Sequence, residues 1–514
     1  NLRIGEIHPE VHGDAALRLQ RDVAIVPHES RQRQQLLLGP ETRRGAAPGA
    51  TEQQDPRPLG QYIGAVAVGV GAFLVLTGGE AARAEARRGL DAERVERAKD
   101  TFLHGLDGNF ALQLDACVHC GACAEACQFY IGTEDPAYVP VRKLDLMKRV
   151  YQRELSPLRW LHRLTTPEIT ADDLRAQQTL VYDACTMCGR CNLVCPSGIN
   201  ISEMVHLNRE ALAAAGLMPD ELRFMDDGQA ADGTIFGADA DLFRFRIEDL
   251  EQRLGFAIPV DKETADVLLV TSGLDIHLFR DATGGAIETL THMGVDYTLL
   301  SDAYEGANFG LLSGDVKVQK ELTRKLTEAA IRIGAKVVIV PECGHSFPAL
   351  RWGAAESVGK PVPFDVMTVS EYFGRAVMDG RLKLEPQKHE KPIALHDPCK
   401  VGRWGGVFDE PRAILKACGY DLHETDSSRT YNFCCGGGAG NFLIERADPL
   451  KRAGYRVKMN EIEKTGAESL VVSCGSCRMN FEVGKVKAGD TMPVESLAAV
   501  IAAHLPKTPK EAAE

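Results

Sequence analysis

The pattern of apolar and polar positions divides the chain into unlike stretches. From Ala265 onward, short β-branched runs (VLLVTS, KVVIVP, IALHD, SLVVSC) alternate with helical segments. Such alternation predicts α/β architecture with parallel sheets. Far upstream, from Tyr62 to Gly79, runs an apolar stretch without a single charge. Its length lies at the lower edge of the ~17–25 residues that span a bilayer. Residues 61–79 are therefore a candidate membrane anchor, with a buried helix or strand-turn as the alternative that its glycines favour. Gly69-Val70-Gly71 makes a poor dinucleotide loop, because a third glycine and a following acidic partner are missing. Residues 1–60 read as a disordered tail, because the stretch from Pro27 to Gly60 is rich in Arg, Gln, Pro and Gly without a sustained apolar period. Ala81 to Thr101 reads as a charged, alanine-rich exposed helix, which opens a segment, 80–215, carrying the first eight cysteines. Residues 216–262 include a Gly/Asp-rich acidic stretch, expected to be a linker.

The α/β region also repeats internally. DVLLVTSGLDI corresponds to KPIALHDPCKV, YEGANFGLLSG to TYNFCCGGGAG, and EAAIRIGAKVVIVPECGHS to EIEKTGAESLVVSCGSC, in one element order and at an offset of about 125–131 residues. That makes residues 263–390 and 391–505 a duplicated pair.

Composition narrows the function. The chain has 514 residues and a net charge of −13, with no basic stripe bearing interleaved aromatics, which argues against nucleic-acid binding. Its 15 cysteines are sparse for a disulfide scaffold but sharply clustered, which points to metal or redox chemistry. Two runs follow C-x2-C-x2-C-x3-C: Cys117, Cys120, Cys123, Cys127 and Cys185, Cys188, Cys191, Cys195. Three thiolates on a short loop wrap one cubane, while in two-cluster ferredoxins the fourth cysteine serves the other cluster. The expected sets are therefore Cys117, Cys120, Cys123 with Cys195, and Cys185, Cys188, Cys191 with Cys127. Tetrahedral zinc prefers separated pairs to such runs. Gln128 stands where a proline usually follows the fourth cysteine, which weakens the helix-start signal and not the ligand set.

A third constellation gathers Cys399, Cys434, Cys435, Cys474 and Cys477 from three segments, HDPC, FCCGGG and SCGSC. Gly436, Gly437 and Gly438 allow close backbone approach and offer N–H groups to an anionic centre. His396, Lys400, Arg403 and Arg478 lie close in sequence and could stabilise a developing thiolate, surface charge being the alternative for each. A disulfide between Cys474 and Cys477 would leave three thiols unexplained.

These motifs together resemble the CCG-domain iron–sulfur proteins of the heterodisulfide reductase family, in the order of its D-type subunits that is also found in sulfite-reductase-linked K subunits. The resemblance covers residues 102 to about 505. It implies an α+β chain: an N-terminal α-helical two-[4Fe–4S] ferredoxin-type domain followed by a duplicated α/β CCG domain. It further implies a non-cubane [4Fe–4S] cluster at the CCG site, where a disulfide is reduced or thiols are oxidised. The implied partners are a cytochrome b-like or quinone-linked membrane subunit and a small disulfide or sulfur-carrier protein. The alternative is a non-catalytic electron-transfer subunit of a flavin-dependent dehydrogenase of the glycolate, lactate or glycerol 3-phosphate type, with a flavoprotein as partner. By the repeat correspondence, Leu274, Gly310, Leu311, Cys343 and Ser346 stand in the first half where the second has its five cysteines, so the first half should hold no complete cluster. Cys343 and His345 then line the cleft between halves or merely pack, and Cys418 is a buried small hydrophobe. Thirteen thiols that must stay reduced until clusters are inserted, and arginines crowding the C-terminal side of the apolar stretch, predict the cytoplasmic face of an inner membrane.

Overall fold

The computed structural model describes residues 90–235 and 240–506. The expected tail and the candidate anchor at 61–79 lie outside the described residues. Among the described residues, no helix is long and apolar enough to cross a membrane.

The N-terminal part is helical. Helix α1 (Ala92–Gly105) is capped by the Asp91 carboxylate, which accepts from the Arg94 N–H, and buries Ala98 and Phe102 four residues apart. After α2 (Gly108–Ala116) and α3 (Asp145–Glu154), helix α4 (Ile201–Ala214) starts at Asn200, whose side chain accepts from Glu203 N–H. Helix α4 packs along α1. Phe102, Leu144, Met147, Tyr182, Met204 and Leu212 are fully buried between these helices.

The stretch expected as a linker holds two helices, α5 (Asp220–Asp232) and α6 (Ala240–Leu254). Helix α6 buries Phe243, Ile247 and Leu250, an i, i+4, i+7 face that the surrounding Gly and Asp residues obscure in the sequence. Phe243 stacks on Tyr304 with ring centres 4.3 Å apart. On α5, Gln229 donates to Ala307 O (2.7 Å) and accepts from Phe309 N–H (2.8 Å). Both helices thus belong to packed cores.

Two parallel sheets follow, and the chain is a mixed helix-and-sheet protein. The first has strands β1 (Val267–Leu269), β2 (Tyr297–Thr298), β3 (Val337–Val340) and β4 (Asp365–Thr368) in the order β2-β1-β3-β4. The second has β5 (Ile393–His396), β6 (Ser469–Val472) and β7 (Val494–Ser496) in the order β5-β6-β7. A lone parallel bridge joins Ile393 to Leu422 on the other side of β5. Most strand positions are buried, as helices on both faces require of a parallel sheet.

Helices α7 (Arg280–His292), α8 (Val316–Arg332), α9 (Ser346–Val358) and α10 (Val369–Met378) serve the first sheet. Helices α11 (Asp409–Ala417), α12 (Asp448–Lys464), α13 (Gly475–Ala488) and α14 (Leu497–Ala503) serve the second. The sheets share one core because α7 packs on α14 and α10 on α11. Both contacts are close enough to require glycine. A Cβ at Gly285 would strike the Ala498 backbone, and one at Gly374 would strike Glu410.

Candidate functional site

The two C-x2-C-x2-C-x3-C runs adopt matching backbones. His119 and Met187, each just before the second cysteine of its run, have φ of 56° and 48°. Gly121 and Gly189, each just after it, have φ of 79° and 77°. A non-glycine residue in this left-handed region is uncommon, so its recurrence at the same place in both loops marks one imposed turn. Cys117 follows α2 directly, and its carbonyl accepts from the Lys148 ammonium of α3 (2.7 Å). Cys127 immediately precedes the helix Gln128–Thr133, which starts even without the proline.

The thiols of these runs fall into neighbourhoods. Cys123 lies close enough to Cys117 for their charges to interact. Cys191 faces Cys188, Cys185 and also Cys127, which comes from the other run. Burial pushes the Cys191 thiol well above the ordinary range. Cys120 is exposed and Cys195 half-buried.

The five cysteines of the third constellation form a connected chain of thiols. Cys399 contacts Cys434, Cys434 contacts Cys435, Cys435 contacts Cys477, and Cys477 contacts Cys474. Cys399 follows β5, and Cys474 follows β6 and caps α13, its sulfur accepting from Cys477 N–H (3.4 Å). Cys434 and Cys435 come from the intervening loop, where Gly436 has φ of 99°, a conformation suited to glycine. The site therefore sits at the carboxyl ends of adjacent parallel strands, where open α/β sheets present their ligands. Hydrogen bonds from Cys399 and Cys435, joined by Gly436 N–H and Thr186, hold the Cys434 thiol well below its ordinary range. The contact with Cys434 in turn raises Cys399 and Cys435. Cys434, Cys435, Cys474 and Cys477 are buried.

Of the four polar candidates, the structure sets His396 against Cys435 and Cys477, and brings Arg403 and Lys400 near enough to Cys399 for their charges to interact. One of its ring nitrogens lies within 4.8 Å of the sulfurs of Cys435 and Cys477. Burial lowers its pKa to about 3. Arg403 is occupied otherwise, donating to Thr430 O (2.8 Å), Cys188 O (2.7 Å) and Asn432 O. Arg478 pairs with Asp281 of α7 (2.8 Å) and lies over the Phe279 ring. The Lys400 ammonium lies 4.4 Å from the Trp404 ring centre. Residues that sequence reasoning missed include Thr186 and Asn480, whose amide donates to Cys435 O (2.7 Å). Asn480 sits one turn after Cys477 on α13, and that spacing was the available signal.

The second dicluster loop lies against this site. Cys188 is near enough to Cys434 for their charges to interact, and Arg403 and Trp404 both donate to its carbonyl (2.7 and 3.3 Å). Arg209, fully buried, donates to the carbonyls of Val181, Cys185, Leu312 and Ala439, joining three parts of the chain. In the first sheet, Cys343 is buried with its sulfur 3.0 Å from His345 Nε2, and Asn308 N–H donates to His345 Nδ1 (2.8 Å). Leu274 packs with Phe279 and Met479. Cys418 is fully buried among apolar side chains, which pushes its thiol up to about 12.

The donor set fits an iron–sulfur group. Soft sulfur ligands are gathered from separate loops, and both nitrogens of the buried His396 lack partners. The comparisons agree. Residues 113–199 match the 4Fe-4S dicluster domain, and residues 393–482 match the CCG cysteine-rich domain. An Hdr-like menaquinol oxidoreductase iron-sulfur subunit 2 of Archaeoglobus fulgidus is 28% identical over 463 residues, covering 76% of this chain and 80% of the relative. The D-type subunit of the dihydromethanophenazine:CoB–CoM heterodisulfide reductase of Methanosarcina barkeri is 28% identical over 406 residues, covering 77% and 94%. An EtfAB:quinone oxidoreductase of Syntrophomonas wolfei is 25% identical, covering 74% of this chain and 56% of its own length. The chain is thus an iron–sulfur protein that pairs a 4Fe–4S dicluster domain with a CCG cysteine-rich domain, similar over three quarters of its length to the D-type subunits of heterodisulfide reductase and to Hdr-like subunits.

Proposed function

We propose that this subunit passes electrons through two [4Fe–4S] clusters to or from a third, non-cubane [4Fe–4S] cluster, where a disulfide is reduced or thiols are oxidised. The carrying observation is the unbroken chain of thiols from Cys399 to Cys474 with Cys188 of the dicluster domain beside Cys434. In this assignment Cys117, Cys120, Cys123 and Cys195 hold one cubane and Cys185, Cys188, Cys191 and Cys127 the other. The approach of Cys127 to Cys191 supports that exchange of fourth ligands. Cys399, Cys434, Cys435, Cys474 and Cys477 hold the third group, which when bound supplies electrons one at a time.

Reductive cleavage consumes two electrons and two protons, RSSR + 2 e− + 2 H+ giving 2 RSH. The chain's own residues keep this site dry and position its thiols: Asn480 fixes the Cys435 carbonyl, and Arg403 and Trp404 fix the Cys188 loop. Duplication of the α/β half is part of the same reading. Its support is the shared order, with Leu422 beside β5 where β2 lies beside β1, and the reciprocal packing of α7 on α14 and α11 on α10.

The electrons exchange with a cytochrome b-like or quinone-linked membrane partner on the cytoplasmic side, and the substrate is a small disulfide or sulfur-carrier protein. The names of the menaquinol- and quinone-linked relatives support the first of these. So does the helix Arg159–Thr165, which has no buried residue and presents Trp160 and Leu164 at 65% and 80% exposure. Adding thiol substrate to the oxidised protein should elicit a distinct paramagnetic signal. Cys434→Ala should abolish it while both ferredoxin clusters remain; a signal indifferent to that change would overturn the proposal. A second reading, an electron conduit for a flavin-linked dehydrogenase, is favoured by the similarity to the EtfAB:quinone oxidoreductase. Purification with a flavoprotein in place of a cytochrome would select it.

A further inference from the structure

His396 ends β5, paired in register with Val472 of β6, two residues before Cys474. The imidazole is fully buried, its ring 5.0 Å from that of Phe481 at an interplanar angle of 79°. Neither nitrogen has a hydrogen-bond partner. A buried imidazole carries one donor and one acceptor, and leaving both unmade costs free energy that native interiors avoid. One of the two nitrogens faces the thiols, and a group bound there would supply its missing partner. There the sulfurs of Cys435 and Cys477 and one ring nitrogen of His396 all lie within 4.8 Å of one another. Two thiolates and an imidazole at that spacing form the donor set of a transition-metal ion, and imidazole suits iron as well as zinc.

We propose that His396 is a nitrogen ligand of the iron–sulfur group at the CCG site, sharing one iron with Cys435 and Cys477. This inference rests on the proposed function only in taking that group to be iron–sulfur. It adds a non-cysteine donor to the five thiols. Its consequence is electrostatic: a neutral imidazole at this position adds no negative charge, whereas a thiolate there would, so the reduction potential lies above that of a centre with a sixth thiolate, in the sense in which histidine for cysteine raises the potential of Rieske centres. The centre would then accept an electron more readily than one with a sixth thiolate in the place of His396. Arg403 and Lys458 each lie near enough for their charges to act on the ring, but neither supplies a partner for its nitrogens. Arg403 is spent on carbonyls and Lys458 on Asn432 Oδ1 (2.6 Å).

The test uses the complete, cluster-loaded chain in the paramagnetic state of this site. Pulsed electron paramagnetic resonance should reveal strong coupling to a nitrogen. Growth on 15N-histidine should convert that coupling to its 15N pattern in the unmutated protein. His396→Gln should remove it, and His396→Cys should retain iron and shift the reduction potential negative. Absence of a histidine coupling in the labelled protein overturns the inference even if both variants fail to fold. So does a coupling that survives His396→Gln. The two proposals fail separately: a Cys434-independent signal would sink the site reading, whereas a Cys434-dependent signal without histidine coupling would sink this one alone.

Discussion

The two sheets are both parallel, one of four strands in the order β2-β1-β3-β4 and one of three in the order β5-β6-β7, and they are furnished differently. Around β5 and β6, loop ends carry Cys399, Cys434, Cys435, Cys474 and Cys477. At the positions that the internal repeat equates with them, the first half has Leu274, Gly310, Leu311, Cys343 and Ser346. Leu274 belongs to an apolar cluster, and Gly310 packs against the backbone of Gln319 with no room for a side chain. Where the second half gathers thiols, the first gathers buried acids: burial raises the carboxyls of Glu305 and Glu342 to about 7. The lesson is that strand order and helix packing do not depend on the ligands. They depend on runs such as VVIV and SLVV, which both halves retain.

The sharpest test of that contrast is metal content. Cys477→Ala should strip iron from the second half's site, whereas Cys343→Ala should leave iron and acid-labile sulfide unchanged. Equal losses in both variants would show that the first half holds a group of its own. Next in size is the junction. Arg209→Met leaves four buried carbonyls without their donor and should cost about 3–5 kcal/mol, read as a lower denaturation midpoint. The reciprocal helix contacts predict a matched pair of smaller effects. Gly285→Ala and Gly374→Ala should each cost about 1–3 kcal/mol through overpacking. A large cost from one and none from the other would break the equivalence of the two contacts.

The smallest effect separates the halves by pH. Glu342 is protonated in the folded chain up to about pH 7, while its unfolded value is 4.5. The folded state therefore binds the extra proton between those values, and this group's contribution is full below about 4.5 and lost as pH rises towards 7. Glu342→Gln keeps an acceptor for Ser370 N–H and removes the titration. Its melting temperature relative to the parent should rise as pH goes from 4 to 8. A difference that is flat with pH would place the proton elsewhere.

Much of this was legible in the chain. The two four-cysteine runs, the five later cysteines and the alternation of β-branched runs with helices all map onto the observed loops and parallel strands. Helix α6 was hidden, because its face Phe243, Ile247, Leu250 follows a stretch whose Gly and Asp residues dominate the local composition. The roles of the nearby basic residues were hidden too. Sequence proximity put Arg403, Arg478, Lys400 and His396 on equal footing, and folding sends the first to backbone carbonyls and the second to Asp281.

The sequence by itself determined which thiols exist and how they are spaced along loops, because cluster-binding turns are local and their short spacings are written in consecutive residues. It also determined the alternation of strands and helices after Ala265, because hydrophobic period is local. Only the tertiary structure decided which thiols from distant segments meet. The meeting of Cys188 with Cys434, of Cys127 with Cys191, and of His396 with Cys435 and Cys477 depends on how strands order themselves in a sheet and how helices cross between sheets. Those arrangements are fixed by burial summed over whole cores, a quantity that no single segment carries.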